Sequence, residues 1–298
     1  MKKVLLGCLF ASTTIAHEYG YLTYYFVDPD CPVHVAGRFR QIGSANFKNR
    51  QHGDVNYSDG YAAAYYTHFL NPDNFFSWGV GYDYLKFDWK KNPRFNQKHF
   101  NYATASLGYI STTLDRWRWI VSGGFTVEAD GLNFGQTGVY HARLWGRYHF
   151  SECWGFHVGA LGQYGIKNGH ALPILGIDWK WGSDWTASCI FPLNISLNYA
   201  FNDHWSTELA YSGFGGPYKY PRRAEQKEGR FKDPIFEVYS RGVDLNLLYK
   251  YDHLLRLALG VGYNGSGWIF IKDYHRDQGQ YYPYKGAPYA QGTVALTF

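Results

Sequence analysis

Apolar and polar residues alternate with a period of two along much of the chain. A clear example is the segment 117–128, where tryptophan, valine and phenylalanine alternate with arginine, serine, glycine, threonine and glutamate. The same alternation returns in the segments 140–148, 194–201, 243–250 and 255–262. Successive side chains of a β-strand point to opposite faces. The pattern therefore predicts strands that carry one apolar and one polar face.

Extended to the whole chain, the alternation predicts a strand count of fourteen. The predicted strands lie near residues 33–45, 60–70, 75–88, 98–111, 116–128, 138–150, 154–166, 171–181, 185–191, 193–201, 204–213, 236–250, 254–264 and 288–298. Pro192 separates the short pair 185–191 and 193–201. If that pair is an irregular element, the count falls to twelve.

Six connections are short and rich in Asp, Asn and Ser, whose side chains bond back to nearby backbone and so favour turns. They are 71–74, 113–116, 151–153, 182–184, 202–204 and 251–253. Five are followed directly by an aromatic residue and one by leucine. All six are alternate connections, so they are predicted at one side of the sheet. The longer connections 46–59, 89–97, 129–137, 214–235 and 265–287 are predicted as loops at the other side.

The composition agrees with an all-β protein. Of the 298 residues, 20% are aromatic (28 Tyr, 21 Phe, 11 Trp), with 34 Gly and one Met. A disordered chain is poor in aromatics, and a helical protein would be dominated by Ala, Leu and Glu, so both classes are excluded. No segment approaches the 18 unbroken apolar residues of a membrane helix.

The N-terminus predicts export. Lys2 and Lys3 precede an apolar stretch, and the small residues that end at Ala16 suit a signal-peptide cleavage site. Residues 1–16 are interpreted as a signal peptide and residues 17–32 as a periplasmic segment before the first strand. A membrane anchor and a lipoprotein box ending at Cys8 are the alternatives. The apolar stretch is shorter than the roughly 20 residues that span a bilayer.

The C-terminus separates a soluble exported protein from a membrane barrel. Residues 289–298 alternate strictly, with Val294, Leu296 and Phe298 on one face. This segment resembles the closing strand of bacterial outer-membrane proteins, and residues 172–180 are similar to uncharacterised outer-membrane barrel families. The resemblance implies a Gram-negative-type outer membrane as location, with Phe298 as the signal read by the barrel-assembly machinery. A soluble β-sandwich is the alternative fold.

The resulting prediction is an all-β fold, a closed antiparallel transmembrane β-barrel over residues 33–298. It has 12–14 strands, short periplasmic turns and longer extracellular loops. Its predicted partners are outer-membrane lipid and the assembly machinery, and no nucleic acid is predicted as a partner. The sequence does not determine the oligomeric state. No cofactor or metal is predicted, since no phosphate-binding loop or clustered His/Cys spacing occurs.

The polar face of the strands carries the candidate functional residues. The predicted lumen-lining charges are Arg118, His141, Arg143, Arg147, Asp178, Lys180, Glu208, Asp244, Lys250 and Arg256. Arg38, Arg40, Asp83 and Glu128 join them, which gives eight bases and five acids. Asp178 and Glu208 are expected to partner Arg143 and Arg147 across the lumen. The predicted extracellular basic loop contains Lys219, Arg222, Arg223, Lys227, Arg230 and Lys232.

Three functions are compatible with these residues. The first is a small, porin-like channel for small polar or anionic solutes, since rings of Arg and Lys favour anions. The second is a structural or surface-binding barrel whose basic loops meet surface polyanions or a host partner. The third is a lipid-modifying enzyme. Conductance separates the first two.

Two features bear on chemistry. His204 and Ser206 resemble the His-x-Ser pair of outer-membrane phospholipases, but Thr207 replaces the expected Asn and His204 lies in a predicted turn. The protein is therefore predicted not to be an enzyme. An odd number of cysteines follows the signal peptide, so not all can pair. A disulfide between Cys31 and Cys153 is left open.

Overall fold

The computed structural model describes residues 31–92, 98–166, 168–219, 234–273 and 279–298. The predicted signal peptide and residues 17–30 lie outside this range. The described residues form seventeen strands: β1 (Val33–Asn46), β2 (Asp54–Asn71), β3 (Asn74–Trp89), β4 (His99–Ser111), β5 (Trp117–Glu128), β6 (Val139–His149), β7 (Trp154–Gly165), β8 (Asn168–Trp181), β9 (Trp185–Phe191), β10 (Asn194–Ala200), β11 (Trp205–Phe214), β12 (Pro217–Lys219), β13 (Pro234–Tyr251), β14 (Leu255–Asn264), β15 (Gly267–Asp273), β16 (Gly279–Tyr284) and β17 (Ala287–Thr297).

Fourteen of these strands close into an antiparallel barrel. Strands β1 to β11 pair in order, β11 pairs with β13, β13 with β14 and β14 with β17. Strand β17 pairs with β1 from His34–Thr297 to Ile42–Tyr289, which completes the ring. The predicted fold class is confirmed, with fourteen strands rather than twelve. The pair around Pro192 forms two ordinary strands of seven residues each.

Helix is confined to two short pieces of the described chain, a 3-10 turn at Arg50–His52 and α1 (Phe134–Thr137). Within the described ranges, no helix has the length and apolarity needed to cross a membrane.

The two ends of the barrel differ in their connections. All six short turns, together with the first and last residues of the barrel, lie at one end, named here the turn end. The opposite end, named here the loop end, carries the β1–β2, β3–β4, β5–β6, β11–β13 and β14–β17 connections. The six predicted short turns are therefore at one end, as expected. The loop end also has two connections of only two residues, β7–β8 and β9–β10, so its connections are not all long.

The predicted loops 46–59, 214–235 and 265–287 contain strands that the sequence did not indicate. Strand β2 begins at Asp54, and β12, β15 and β16 extend the barrel sheet beyond its ring. Residues 268–271 of β15 read Trp-Ile-Phe-Ile. Such a run has no period of two, because both of its faces pack against protein, and it does not read as a half-buried strand.

The extra strands form a cap over the loop end. The cap consists of β12, residues 234–239 of β13, β15 and β16. Its chain breaks from the barrel near Gly215, where φ is +97° and a Cβ would clash with the carbonyl oxygen of Val238. Such a backbone conformation favours glycine.

The cap reaches across the barrel mouth. Phe236 in β13 stacks on Phe100 in β4, six strands away around the ring, with ring centroids 5.5 Å apart. On the other face of the same strand, Ile235 packs against Val139 and Ile166. The mouth is therefore bridged by side chains from one wall to another.

The outer surface of the ring is apolar. Exposed residues that face outward occur on strands all around the barrel, including Val80, Leu107, Val121, Leu144, Val158, Leu175, Ile195, Leu209, Leu245, Leu259 and Val294. Tryptophans gather near the turn end, where Trp154 stacks on Trp179 at 5.2 Å and Trp181 on Trp185 at 5.5 Å. An apolar band with an aromatic girdle is the surface that a membrane barrel presents to lipid.

Candidate functional site

A cavity of about 600 Å³ occupies one side of the barrel interior. It extends from the turn end, at residues 202–206, to Asn194 at the tip of the β9–β10 hairpin. Strands β10, β11, β13, β14, β17, β1 and β2 supply its walls. The lining combines alanine, leucine and aromatic residues with the amides and hydroxyls of Asn194, Asn198, Ser206, Ser212, Asn246, Gln291 and Thr293.

Asp244 is the most strongly bonded group in this cavity. Its carboxylate accepts hydrogen bonds from Ser212 Oγ at 2.6 Å and from Tyr289 Oη at 2.7 Å. Asn246 Nδ2 and Gln291 Nε2 each donate to it at 2.8 Å. Four donors hold a negative charge that is 2% exposed. This network fixes the shape of the polar wall.

The other predicted charges of this side lie at different heights. Glu208 accepts a bond from Asn246 Nδ2 at 3.3 Å, beside Asp244. Lys250 and Arg256 are directly opposite each other on β13 and β14 at the turn-end mouth. The cavity thus has acids in its middle and bases at its mouth.

A second polar cluster lies on the side formed by β6 to β9. Arg147 Nη2 and His157 Nε2 are each 2.9 Å from Asp178 Oδ2, and Ser188 Oγ donates to Oδ1 at 2.9 Å. Trp145 Nε1 donates to His157 Nδ1 at 3.1 Å, which directs the Nε2 proton of the histidine to Asp178. The Arg147–Asp178 ion pair joins β6 to β8, the next strand but one, and does not span the lumen between opposite walls. Its apolar surroundings include Ile120, Leu161, Ile174, Ile190 and Leu193.

The remaining predicted lumen residues have varied environments. Arg143 is 7% exposed, its guanidinium carbon lies 5.5 Å from the centre of the Trp145 ring, and its Nε and Nη1 have no acceptor among the described residues. His141 lies beside it on the same inner face of β6. Arg118 faces Arg147 on the neighbouring strand, and Lys180 is exposed at the turn end.

An ion-pair group that the sequence did not predict divides the interior. Asp59 accepts from Arg38 Nη2 at 3.0 Å and from Arg40 Nη2 at 2.7 Å. Arg38 lines both the large cavity and a smaller one of about 60 Å³ nearer the loop end. Asp59 was missed because the predicted strand began at residue 60. Tyr57 and Tyr61, two residues to either side on the same face, were the available signal.

Above this group, the cap closes the loop end with apolar side chains. The core there joins Tyr57 of β2, Phe87 of β3, Phe100 of β4, Phe236 of β13 and Tyr282 of β16, all 2% exposed or less. Outside the ring, burial raises the pKa of Tyr284 in β16 to about 12. The described residues therefore leave no polar passage as wide as the lower cavity at this level.

Several predicted sites lie elsewhere. Arg222, Arg223, Lys227, Arg230 and Lys232 are outside the described residues, and Lys219 ends β12. His204 Nδ1 is 3.1 Å from the Lys250 carbonyl oxygen, whereas Ser206 Oγ accepts from Asn198. Cys31, Cys153 and Cys189 form no disulfide with one another, so the bond left open between Cys31 and Cys153 is not present. Among the described residues, no group of three or more His, Cys, Asp or Glu side chains is arranged to hold a metal.

Comparisons with known proteins agree with this architecture. No family model matches the chain. It is 24% identical over 276 residues to an uncharacterised protein of Chlamydia trachomatis. The alignment covers 88% of this chain and 85% of that protein. An uncharacterised Chlamydia muridarum protein is 24% identical over 204 residues, 68% of this chain and 63% of that protein.

A solved structure shares the fold. An outer membrane channel from Pseudomonas putida F1 superposes with a TM-score of 0.50 at 8% identity, over 92% of this chain and 98% of that one. At this identity the likeness shows the fold alone, which is that of an outer-membrane β-barrel.

Proposed function

We propose that this protein is an outer-membrane channel for small polar solutes, held closed at its loop end by the cap. The observation that carries the proposal is the 600 Å³ cavity, which leads from the turn end to the level of the Arg38–Asp59–Arg40 group. A barrel with a purely structural role needs no such space.

The lining of the cavity supports a hydrated path. Buried charges are costly unless they are paired or hydrated, and this wall carries Glu208, Lys250 and Arg256 in addition to the fully bonded Asp244. Amide and hydroxyl groups replace the hydrogen bonds that a polar solute loses with its water. The cavity therefore suits small polar molecules.

The narrow level supports a preference for anions. Two arginines share one carboxylate there, so the group carries a net charge of about +1, and Arg or Lys rings favour anions in pores. Arg40 is held further by Phe214, whose ring centre lies 3.9 Å from the guanidinium carbon. We assign anion selectivity to this level rather than to Arg143, which lines neither cavity.

A reversible lock on the cap tests the proposal. Phe47 and Tyr284 form an antiparallel bridge between the β1 end and the cap, and directly opposed residues have Cα atoms about 4.5–5.5 Å apart, within disulfide range. The variant Phe47→Cys/Tyr284→Cys is made in a background with Cys31, Cys153 and Cys189 replaced by Ser. Its currents are recorded in a planar bilayer before and after reduction.

The expected result is a silent oxidised protein and small, anion-selective steps after reduction. The Ser background alone, with and without reductant, is the control. If the reduced variant and the wild type insert and pass no current, the channel proposal is wrong and a structural or surface-binding barrel is favoured.

The proposal places the barrel in outer-membrane lipid, delivered by the assembly machinery. Phe298 is 57% exposed on the outward face of the closing strand. Phe298→Asp should leave the chain in the periplasm, whereas Phe298→Tyr should not. Fractionation of cell envelopes measures this, and normal membrane levels of the Asp variant would contradict it.

The proposal assigns no catalysis. His204 lies in an exposed turn and contacts the Lys250 carbonyl rather than Ser206. A base for a serine nucleophile needs a hydrogen bond to its hydroxyl. His204→Ala is expected to leave envelope lipids unchanged.

A further inference from the structure

The large cavity lies where inward side chains of the barrel are small. Four strands carry alanine at inward positions that line it, namely Ala200, Ala210, Ala258 and Ala295. On β6, at the other side of the barrel, the inward residues Arg143 and Trp145 are large and buried. Because alanine fills little of the space, the few long side chains that enter the cavity decide what it can hold.

The charged side chains of the cavity stand at two levels of its wall. Glu208 on β11 is directly opposite Asn246 on β13, in the middle of the cavity. Lys250, four residues further along β13, is opposite Arg256 on β14 at the turn-end mouth. Four residues of a strand rise about 13 Å at ~3.3 Å each. An acidic level and a basic level therefore face the same space, separated by about 13 Å along the wall.

The middle level carries an excess of negative charge. Asn246 Nδ2 donates to Glu208 Oε1 at 3.3 Å and to Asp244 Oδ2 at 2.8 Å, so two carboxylates share one amide. The other donors to Asp244 are a serine, a tyrosine and a glutamine, and Ser196 bonds to Glu208. Within the part of the chain that the structure describes, all of these donors are neutral. Since an enclosed charge is costly unless it is paired, this level favours a positively charged group of a solute.

The mouth level has the opposite charge. Lys250 and Arg256 are directly opposed on neighbouring strands, and like charges in this position repel each other. A negatively charged group placed between them relieves that repulsion. The wall between the two levels carries Leu248, Ala258 and Thr293, none of which is charged. From the mouth inward, the wall is therefore positive, then neutral, then negative.

We propose that the cavity binds short zwitterionic peptides, with the peptide ammonium at Glu208 and the peptide carboxylate between Lys250 and Arg256. An extended tripeptide spans about 10 Å, and the long side chains at both levels cover the remaining distance. A simple anion satisfies only the mouth level, and a simple cation satisfies only the middle level. The proposal rests on the proposed channel function, whose class of small polar solutes it narrows.

Protection of a cysteine in the wall tests the binding. Thr293→Cys, which lies between the two levels, is made in the background lacking native cysteines. Its rate of reaction with a water-soluble maleimide is measured in detergent micelles with three probes. Triglycine is the zwitterion, N-acetyltriglycine lacks the ammonium, and triglycine amide lacks the carboxylate.

Triglycine is expected to protect the cysteine at a concentration about tenfold lower than either analogue, because each analogue loses one charge-assisted contact. Equal protection by the three probes, or no protection by triglycine, overturns the proposal.

Two substitutions assign the two ends of the peptide. Glu208→Gln should remove the advantage of triglycine over N-acetyltriglycine, and Lys250→Gln should reduce its advantage over triglycine amide. Glu152→Gln, in an exposed turn that does not line the cavity, is the matched control and should keep both advantages. If Glu208→Gln keeps the advantage over N-acetyltriglycine, the ammonium is not bound at Glu208 and the proposal is wrong.

Bilayer recordings separate this proposal from the channel itself. Triglycine at a protecting concentration should reduce the current of the wild type and should affect that of Glu208→Gln much less. Currents in a protein that triglycine does not protect overturn the peptide site and spare the channel. Selective protection by triglycine in a wild type that passes no current supports the peptide site and overturns the channel.

Discussion

The loop end is filled by one large apolar core, whereas the interior below it combines a cavity, charged clusters and smaller apolar clusters, although the same strands build both. On β2, the inward residues Val55 and Tyr57 belong to the apolar core under the cap, and the next inward residue, Asp59, is charged and binds Arg38 and Arg40. On β1, Ile42 lies in that core, and Arg40 binds Asp59. On each strand, the inward side chains change from apolar to charged between two positions that are two residues apart. The proposed channel function therefore places the control of permeability at this one level rather than along the whole length of the barrel.

The test with the largest expected effect removes strands β15 and β16 of the cap. Residues 265–286 are replaced by Asn-Gly, a two-residue hairpin turn that joins Asn264 to Ala287, which are already paired. The ring keeps its fourteen strands, and the apolar core loses β15 and β16. Single-channel conductance is expected to rise from the small steps of the wild type to large, steady openings.

A change at the other end provides its control. Asp252-His253 in the β13–β14 turn is replaced by Asn-Gly, which leaves the cap intact. Wild-type currents are expected there. If the barrel without β15 and β16 folds and its conductance equals that of the wild type, the closure lies deeper than the loop end.

The second test acts on the narrow level. Asp59→Asn removes the carboxylate shared by Arg38 and Arg40, so the local charge rises by about one unit and anions should be favoured further. The reversal potential under a salt gradient should shift toward the equilibrium potential of the anion. Asp54→Asn, on the same strand at the rim and bonded to Ser44 and Lys90, should shift it little.

The sequence predicted the ring and missed the cap for one physical reason. Alternation reports a strand with one lipid face and one inner face, as in β5 or β14. Strand β15 packs against protein on both of its faces, so Ile269 and Phe270 are both buried and the period disappears. Asp59 was lost with them, since its strand was predicted to begin one residue later.

The candidate site was predictable by residue type but not by partner. Because side chains alternate between the two faces of a strand, a correctly placed strand shows which of its charged residues point inward. Their pairing depends on height and strand tilt, so Arg147 meets Asp178 two strands away and Glu208 meets Asn246.

The third test compares stability at the polar end. Asp244→Ala leaves four donors facing a void, and breaking a buried charge network costs about 3 kcal/mol or more. The midpoint of urea unfolding in lipid vesicles should fall accordingly. Asp203→Ala, in an exposed turn, is the matched control and should change it little. Equal midpoints would show that the Asp244 network does not hold the wall.

The smallest effect concerns the break from which the cap starts. Gly215 and Gly182 both have positive φ, +97° and +65°, yet a Cβ at Gly215 would clash with the Val238 carbonyl oxygen and one at Gly182 would meet nothing within 4 Å. Alanine at Gly182 should cost about 1 kcal/mol, the penalty of the left-handed region for a residue with a Cβ. Alanine at Gly215 adds the clash, and the strain falls on the contact between the cap and β13. Brief openings in the bilayer should therefore become more frequent in Gly215→Ala and stay at the wild-type level in Gly182→Ala, although both lower the urea midpoint. Equal opening rates in the two variants would show that the closure does not depend on the contact between Gly215 and Val238.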